Sequence, residues 1–319
     1  MTARRGLAIP AFVLGVGFVG GAAAGQVVRL QARRIRRAIG KPLGEDAHVA
    51  DRTYKKKLGA TVELLVLGDS IAAGLGADKP KHTLGAQLAR RTARATHRAV
   101  RLHTAAQVGA ETSMLRTQLA TLPAGYRADV AVIVVGGNDV THRVRTADSV
   151  DHLRDAVTSL QAAGTHVVVG TCPDLSALSA LPQPLRTLAA VASRQLASAQ
   201  RELVLGLGGR VVSLAHVVGP FFVTQPDTMF SVDRFHPSSA GYKRTAKAML
   251  PSVLAALGED LDLPAGHYGP GGASPQPSRR EGQRDAPRWS SRRVRAWASR
   301  RGSLVMMPSK PRSSARRMA

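Results

Sequence analysis

Ser70 and His236 are the residues of this chain best placed for covalent chemistry. Ser70 ends the triplet Gly68-Asp69-Ser70, which follows an apolar run. A serine hydroxyl is nearly inert alone and attacks a carbonyl only when an adjacent base takes its proton. His236 can be that base, with Asp233 three residues before it in Asp233-Arg234-Phe235-His236. One tight loop can carry both, the carboxylate holding the imidazole tautomer and stabilising the imidazolium. Two further groups would complete a site for acyl chemistry. Gly109 offers a backbone N–H, and Asn138, in Gly136-Gly137-Asn138-Asp139, offers a side-chain amide. With the Ser70 N–H they could bind the oxyanion of a tetrahedral intermediate. The expected catalytic residues are thus Ser70, Asp233 and His236, and the expected oxyanion donors are Ser70, Gly109 and Asn138.

The elements that must position these groups follow from the apolar pattern. Strands are predicted at Val62–Leu67, Val100–Thr104, Asp129–Val135, His166–Gly170 and Arg210–Leu214. Helices are predicted over Thr83–Thr96, 111–121, Ala147–Ala163, Leu185–Leu207 and Ser238–Leu257. The third strand is almost wholly apolar, as a strand buried on both faces should be. Strands alternating with helices imply β-α-β units and a doubly wound parallel sheet. Ligands in such sheets bind beyond the carboxyl ends of the strands. Ser70, Gly109 and Asn138 each fall just past a predicted strand, and Asp233 and His236 fall in the loop before the last helix.

The four motifs in this order resemble the SGNH hydrolases, the GDSL-type esterases and lipases. Block one is Leu67-Gly68-Asp69-Ser70-Ile71-Ala72-Ala73-Gly74 and block two is Val108-Gly109-Ala110. Block three is the family's G-x-N-D, and block five its D-x-x-H. Block two lacks the Asn that often precedes the family's glycine, the run here being Ala106-Gln107-Val108-Gly109. The likeness runs from about Val62 to about Leu257. It implies a flavodoxin-like α/β fold, with about five parallel strands and helices on both faces, and an ester-cleaving or acyl-transferring activity. The short Asp–His spacing and the absence of G-x-S-x-G separate the chain from the α/β-hydrolases.

Other residues are read more simply. Asp139 should brace its loop, and His142 is expected as a solvent-exposed loop histidine. Thr171-Cys172-Pro173-Asp174 should line the pocket rim, with Cys172 not a nucleophile. The single cysteine excludes an internal disulfide and any cysteine-based metal cluster. The remaining histidines show no metal-ligand spacing, and Gly74-Leu75-Gly76 lacks the Lys and Ser/Thr of a phosphate loop. No cofactor and no metal are expected.

The formal net charge is +24, but it is unevenly placed. Residues 264–319 hold 13 Lys/Arg against Glu281 and Asp285. Much of the remaining excess lies between Arg29 and Lys57. The predicted division is therefore 1–28, a membrane anchor or signal; 29–60, a basic linker helix; 61–263, the hydrolase domain; and 264–319, a disordered basic tail. Residues 7–28 are uncharged and long enough to cross a bilayer. Gly17, Gly21 and Gly25 have the spacing that lets membrane helices self-associate. The arginines after the run favour a cytoplasmic enzyme face. Export after cleavage near Ala22-Ala23-Ala24 is the alternative.

The expected function is a serine esterase that cleaves a small-molecule or lipid acyl ester through an acyl-enzyme on Ser70. An acyltransferase passing the acyl group to a sugar or lipid hydroxyl would use the same site. A basic membrane or polyanion binder is the non-enzymatic alternative. Specific nucleic-acid binding is disfavoured, since aromatics are only 4% and no nucleic-acid motif is present.

Overall fold

Alternate residues of the apolar runs are buried on opposite sides of one sheet. The computed structural model describes Gln26, Leu30, Gln31, Leu43, Gly44 and residues 46–270. All belong to one of two compact units, Met1–Gln276; the other, Pro277–Ala319, lies outside the described residues.

The strands are β1 (Thr53–Tyr54), β2 (Thr61–Gly68), β3 (Ala99–Thr104), β4 (Val130–Val134), β5 (His166–Gly170), β6 (Arg210–Val212) and β7 (His267–Tyr268). They form one sheet in the order β1-β3-β2-β4-β5-β6-β7. The five inner strands are parallel, and β1 and β7 close the two edges antiparallel. The parallel order is the doubly wound, flavodoxin-like one, with the chain reversing direction of travel beside β2. Register fixes the core: Leu64 pairs with Val130, and Val130 with His166.

Val62, Leu64 and Val66 of β2 and Val130, Val132 and Val134 of β4 face one apolar layer. Leu65, Leu67, Ala131 and Ile133 face the other. A period of two with both phases apolar is what a sheet covered on both sides requires.

The first layer is covered by α2 (Leu84–Ala95) and α10 (Ser239–Ala256), through Leu84, Leu88, Tyr242, Met249 and Val253. The second is covered by α3 (Leu115–Ala120), α5 (Thr146–Ala162) and the end of α6 (Leu185–Gly206). The remaining helices are short: α1 (Ser70–Ala73), α4 (Gly137–His142), α7 (Leu214–Val217), α8 (Gly219–Thr224) and α9 (Pro226–Met229). The starts of α2 and α10 are fixed by side-chain caps. Thr83 accepts from the Ala86 N–H, and Ser238 from those of Ala240 and Gly241. Such a cap is worth about 1 kcal/mol.

Three predicted boundaries differ from the structure. Residues 53–54, assigned to the basic linker, form the edge strand β1 against β3. His267 and Tyr268, assigned to the disordered tail, form β7, and Gly266 accepts a hydrogen bond from Ser213. A two-residue strand carries no periodicity, so pairing and not pattern defines it. The fifth predicted strand ends at Val212, because Leu214 already begins α7. The apolar run 7–28, Gly17, Gly21 and Gly25 included, lies outside the described residues, Gln26 excepted. Among the described residues no helix is long and apolar enough to cross a membrane.

Candidate active site

Backbone turns at the strand ends carry the three blocks. β2 ends at Gly68 with φ +129°, and a Cβ there would lie 1.9 Å from the Val134 carbonyl oxygen. Only glycine lets β2 and β4 approach this closely while the chain turns out of the sheet. Gln118, fully buried on α3, holds the turn from below. Its Oε1 accepts from the Gly68 N–H at 2.9 Å and its Nε2 donates to the Gly68 carbonyl at 2.8 Å. Asp69 then caps α1 by accepting from the Ile71 N–H at 2.9 Å, which leaves Ser70 at the first helical position.

The Ser70 Oγ lies 2.9 Å from the His236 Nε2, across 166 residues of sequence. The His236 Nδ1 lies 2.6 Å from the Asp233 Oδ2. Asp233 is fully buried in its side chain, and its Oδ1 also accepts from Ser231 Oγ and from the N–H groups of Phe235 and His236. Burial alone would raise this carboxyl. The ring of His236 and the other donors outweigh it and hold the group at about 2. An ionised carboxylate only accepts, so Nδ1 carries the proton and Nε2 is free to accept from the serine hydroxyl. The loop itself is closed by a bridge between Phe230 and Pro237 and by the Ser231 N–H donating to the His236 carbonyl at 2.8 Å.

Asn138 lies on α4, just past β4. One amide hydrogen donates to the Ala110 carbonyl at 2.9 Å, so block three grips block two. The other amide hydrogen has no partner among the described residues. Ser70, Asn138 and His236 line one cavity. Gly109 is exposed in the turn after β3 with φ +80°, a left-handed position suited to glycine, and its N–H has no partner among the described residues. Gly109 does not line that cavity.

Asp139 braces the loop as expected. Its carboxylate accepts from the Thr112 N–H at 3.1 Å and from the Ser149 Oγ at 2.6 Å. His142 is not idle in solvent: its Nδ1 lies 2.7 Å from Glu111 Oε1, joining the same two loops at the surface. Pro173 and Asp174 line the cavity, and Asp174 is engaged by Arg194 at 3.1 Å. Cys172 is fully buried, and burial pushes its thiol well above the ordinary value, which suits an inert core residue. No three His, Cys, Asp or Glu side chains converge as metal ligands among the described residues.

No motif marks the inner supports of the site. Gln200 on α6 accepts from the Cys172 N–H at 2.7 Å and donates to the Val135 carbonyl at 3.0 Å, tying the ends of β4 and β5. Tyr242 donates to the Leu75 carbonyl at 2.6 Å and fixes the end of the Ser70 loop on α10.

Asp69, which the motif names without a role, is buried beside Ser70. It is 2% exposed, and burial pushes it up to about 6, against the pull of the Ile71 and Gly137 N–H groups and of His236. The folded protein therefore binds this proton more tightly than the unfolded chain, whose value is near 3.8. Its contribution is most favourable below the unfolded value and is lost as pH rises towards about 6. Two pH units correspond to about 3 kcal/mol. Asp69→Asn keeps an oxygen for the cap and removes the charge. Urea unfolding at pH 4 and pH 7 should show the variant gaining on the wild type by up to about 3 kcal/mol at the higher pH. Asp233 titrates below this window and does not interfere. Parallel stability curves for the two proteins would refute the assignment.

Comparison with known proteins places the chain. The model of the GDSL-like lipase/acylhydrolase family matches residues 66–244. This chain belongs to that family. As a GDSL-like enzyme it is a hydrolase acting on ester bonds. A GDSL-like esterase of Mycobacterium tuberculosis is 39% identical over 212 residues, covering 66% of this chain and 68% of that protein. Among solved structures, a lipase from a goat rumen metagenome is 20% identical with a TM-score of 0.49, covering 61% of this chain and 97% of its own. An extracellular lipase of Streptomyces rimosus is 18% identical with a TM-score of 0.45, covering 61% of this chain and 99% of its own.

Proposed function

We propose that this GDSL-like enzyme is a serine esterase working through an acyl-enzyme on Ser70. The observation that carries the reading is the relay Ser70–His236–Asp233, at 2.9 and 2.6 Å, inside a cavity shared with Asn138. His236 takes the hydroxyl proton as Ser70 Oγ bonds to the ester carbonyl carbon. The carbonyl oxygen becomes an oxyanion, held by the free Asn138 amide hydrogen and by the N–H groups of Ser70 and Gly109. The intermediate collapses by breaking the carbon–oxygen bond of the alcohol, which leaves with the proton from His236. Water then attacks the acyl-enzyme with His236 again as base, releasing the acid and restoring Ser70. Asp233 stays ionised throughout, since a carboxyl held at about 2 does not take the imidazolium proton.

A small alkyl phosphonate with a good leaving group tests the nucleophile. The wild type should be labelled on the Ser70 tryptic peptide and lose activity in parallel. Labelling of the Ser70→Ala protein at an undiminished rate would place the nucleophile elsewhere.

A further inference from the structure

Asp69 is a buried carboxyl that the proposed reaction leaves unused, and it lies at the joint between the segments that carry Ser70 and Asn138. Its backbone N–H donates to the Val134 carbonyl at 3.0 Å, which ties the end of β2 to the end of β4. Its carbonyl accepts from the Ala73 N–H and its Oδ1 from the Ile71 N–H, both at 2.9 Å, so it holds the start of α1. On its other side the turn into α4 passes against the carboxyl. A Cβ on Gly137 would lie 3.7 Å from Asp69 Oδ2, and the Gly137 N–H draws on the same group. Ser70 is the first residue of α1, and Asn138 follows Gly137 on α4. Asp69, Ser70, Gly137 and Asn138 all line the one cavity.

Capping alone does not call for an aspartate here. Asn and Ser cap helices about as well, and neither carries a charge that burial penalises. An ionised carboxylate has acceptor sites on both oxygens and no hydrogen of its own. It can serve the Ile71 and Gly137 N–H groups together. An asparagine offers one acceptor oxygen and turns a donor towards the other N–H. A serine has a single oxygen nearer the backbone and cannot span both.

Resting on the serine-esterase reading above, we infer that Asp69 is a positioning residue, its carboxylate joining α1 to α4 and so setting where the Asn138 amide stands relative to the Ser70 hydroxyl. The joint works only in the charged form. Protonation places a hydrogen on one oxygen and leaves a donor facing a donor. Burial pushes this carboxyl up to about 6, so the joint loosens as pH falls through that value. The groups facing it are His236, Asp139 on α4, the Cys172 thiol after β5 and the Tyr242 phenol on α10. Burial pushes the thiol and the phenol well above their ordinary values, so both stay neutral in this range. Asp139 is held by Thr112 and Ser149. His236 stops acting as a base once protonated, which adds a second ionisation to the same acid limb.

The test is Asp69→Asn in the full-length protein, alone and combined with Asn138→Ala, assayed on p-nitrophenyl acetate. Asp69→Asn keeps the α1 cap and should lower kcat by about 10–10²-fold with little change in KM, the loss that a small misplacement of reacting groups causes. In the Asn138→Ala protein the same change should cost less than about threefold, since the donor that Asp69 positions is gone. The acid limb of log kcat against pH should fall with two ionisations in the wild type and with one in Asp69→Asn. Asp69→Ser, which also keeps a capping oxygen, should reproduce these results and carries the test where Asp69→Asn does not fold. Urea unfolding midpoints show which variants are folded. Folded variants with wild-type kcat, losses that multiply with Asn138→Ala, or an acid limb that neither variant changes each overturn the inference. Loss of the fold in both variants overturns it as well, by making Asp69 a support of the core. These outcomes leave the serine-esterase reading standing. A wild type that cleaves no ester and takes no phosphonate at Ser70 fails that reading instead.

Discussion

Ser70→Ala should lower ester turnover on the order of 10⁶-fold, and His236→Ala by a similar factor. The two side chains meet at 2.9 Å and act in one proton transfer, so removing either disables the other. The double variant should therefore be little slower than either single one. The residual rate comes from groups that survive the change, namely the oxyanion donors and the binding cavity. Single-turnover and steady-state assays on the three proteins measure this directly. If the losses multiplied, so that the double variant lost the product of the two factors, Ser70 and His236 would be acting in separate steps. Neither side chain carries the core, so near-wild-type unfolding midpoints should accompany the lost activity.

Asn138→Ala should lower kcat by about 10²–10³-fold with a much smaller change in KM. An oxyanion donor gains strength only as charge develops, so its loss falls on the transition state. The geometry adds a second consequence. One amide hydrogen of Asn138 is committed to the Ala110 carbonyl, which sets the direction of the other. Asn138→Asp keeps the size and loses both donors, and it adds charge where the oxyanion forms. It should be at least as damaging as alanine. A raised KM with unchanged kcat in the alanine variant would make Asn138 a substrate-binding residue only.

The candidate groups that the structure brings together at 2.9 and 2.6 Å could be picked out of the sequence because chemistry restricts residue type and order at such places. A serine after a buried strand, an Asn after another and an Asp–His pair before a helix can be read without neighbours. The parallel strands were legible for a related reason. Val130–Val134 is buried on both faces, so its apolar run has no polar phase to blur it. What escaped was set by partners distant in sequence. Gln118 and Gln200 look like ordinary helix residues, and only the fold brings their amides to Gly68 and Cys172. The apolar side of the cavity escaped for the same reason, since it is lined from the loop after β5, from α7 and α8 and from Phe230 just after α9, segments too short to show a period. Asp69 was seen as part of a motif, but its raised proton affinity follows from burial, which no triplet encodes.

The separation of Asp233 from His236 by three residues, against 166 for His236 from Ser70, bears on how the enzyme comes into being. Closing a loop of three residues costs little entropy, and the cost grows with the logarithm of length. The carboxylate and imidazole can therefore meet while most of the chain is still searching. The Ser70 hydroxyl must be brought to them across 166 residues by the folded sheet. Esterase activity recovered during refolding then times the last assembly step, and it should lag behind any probe of the local turn.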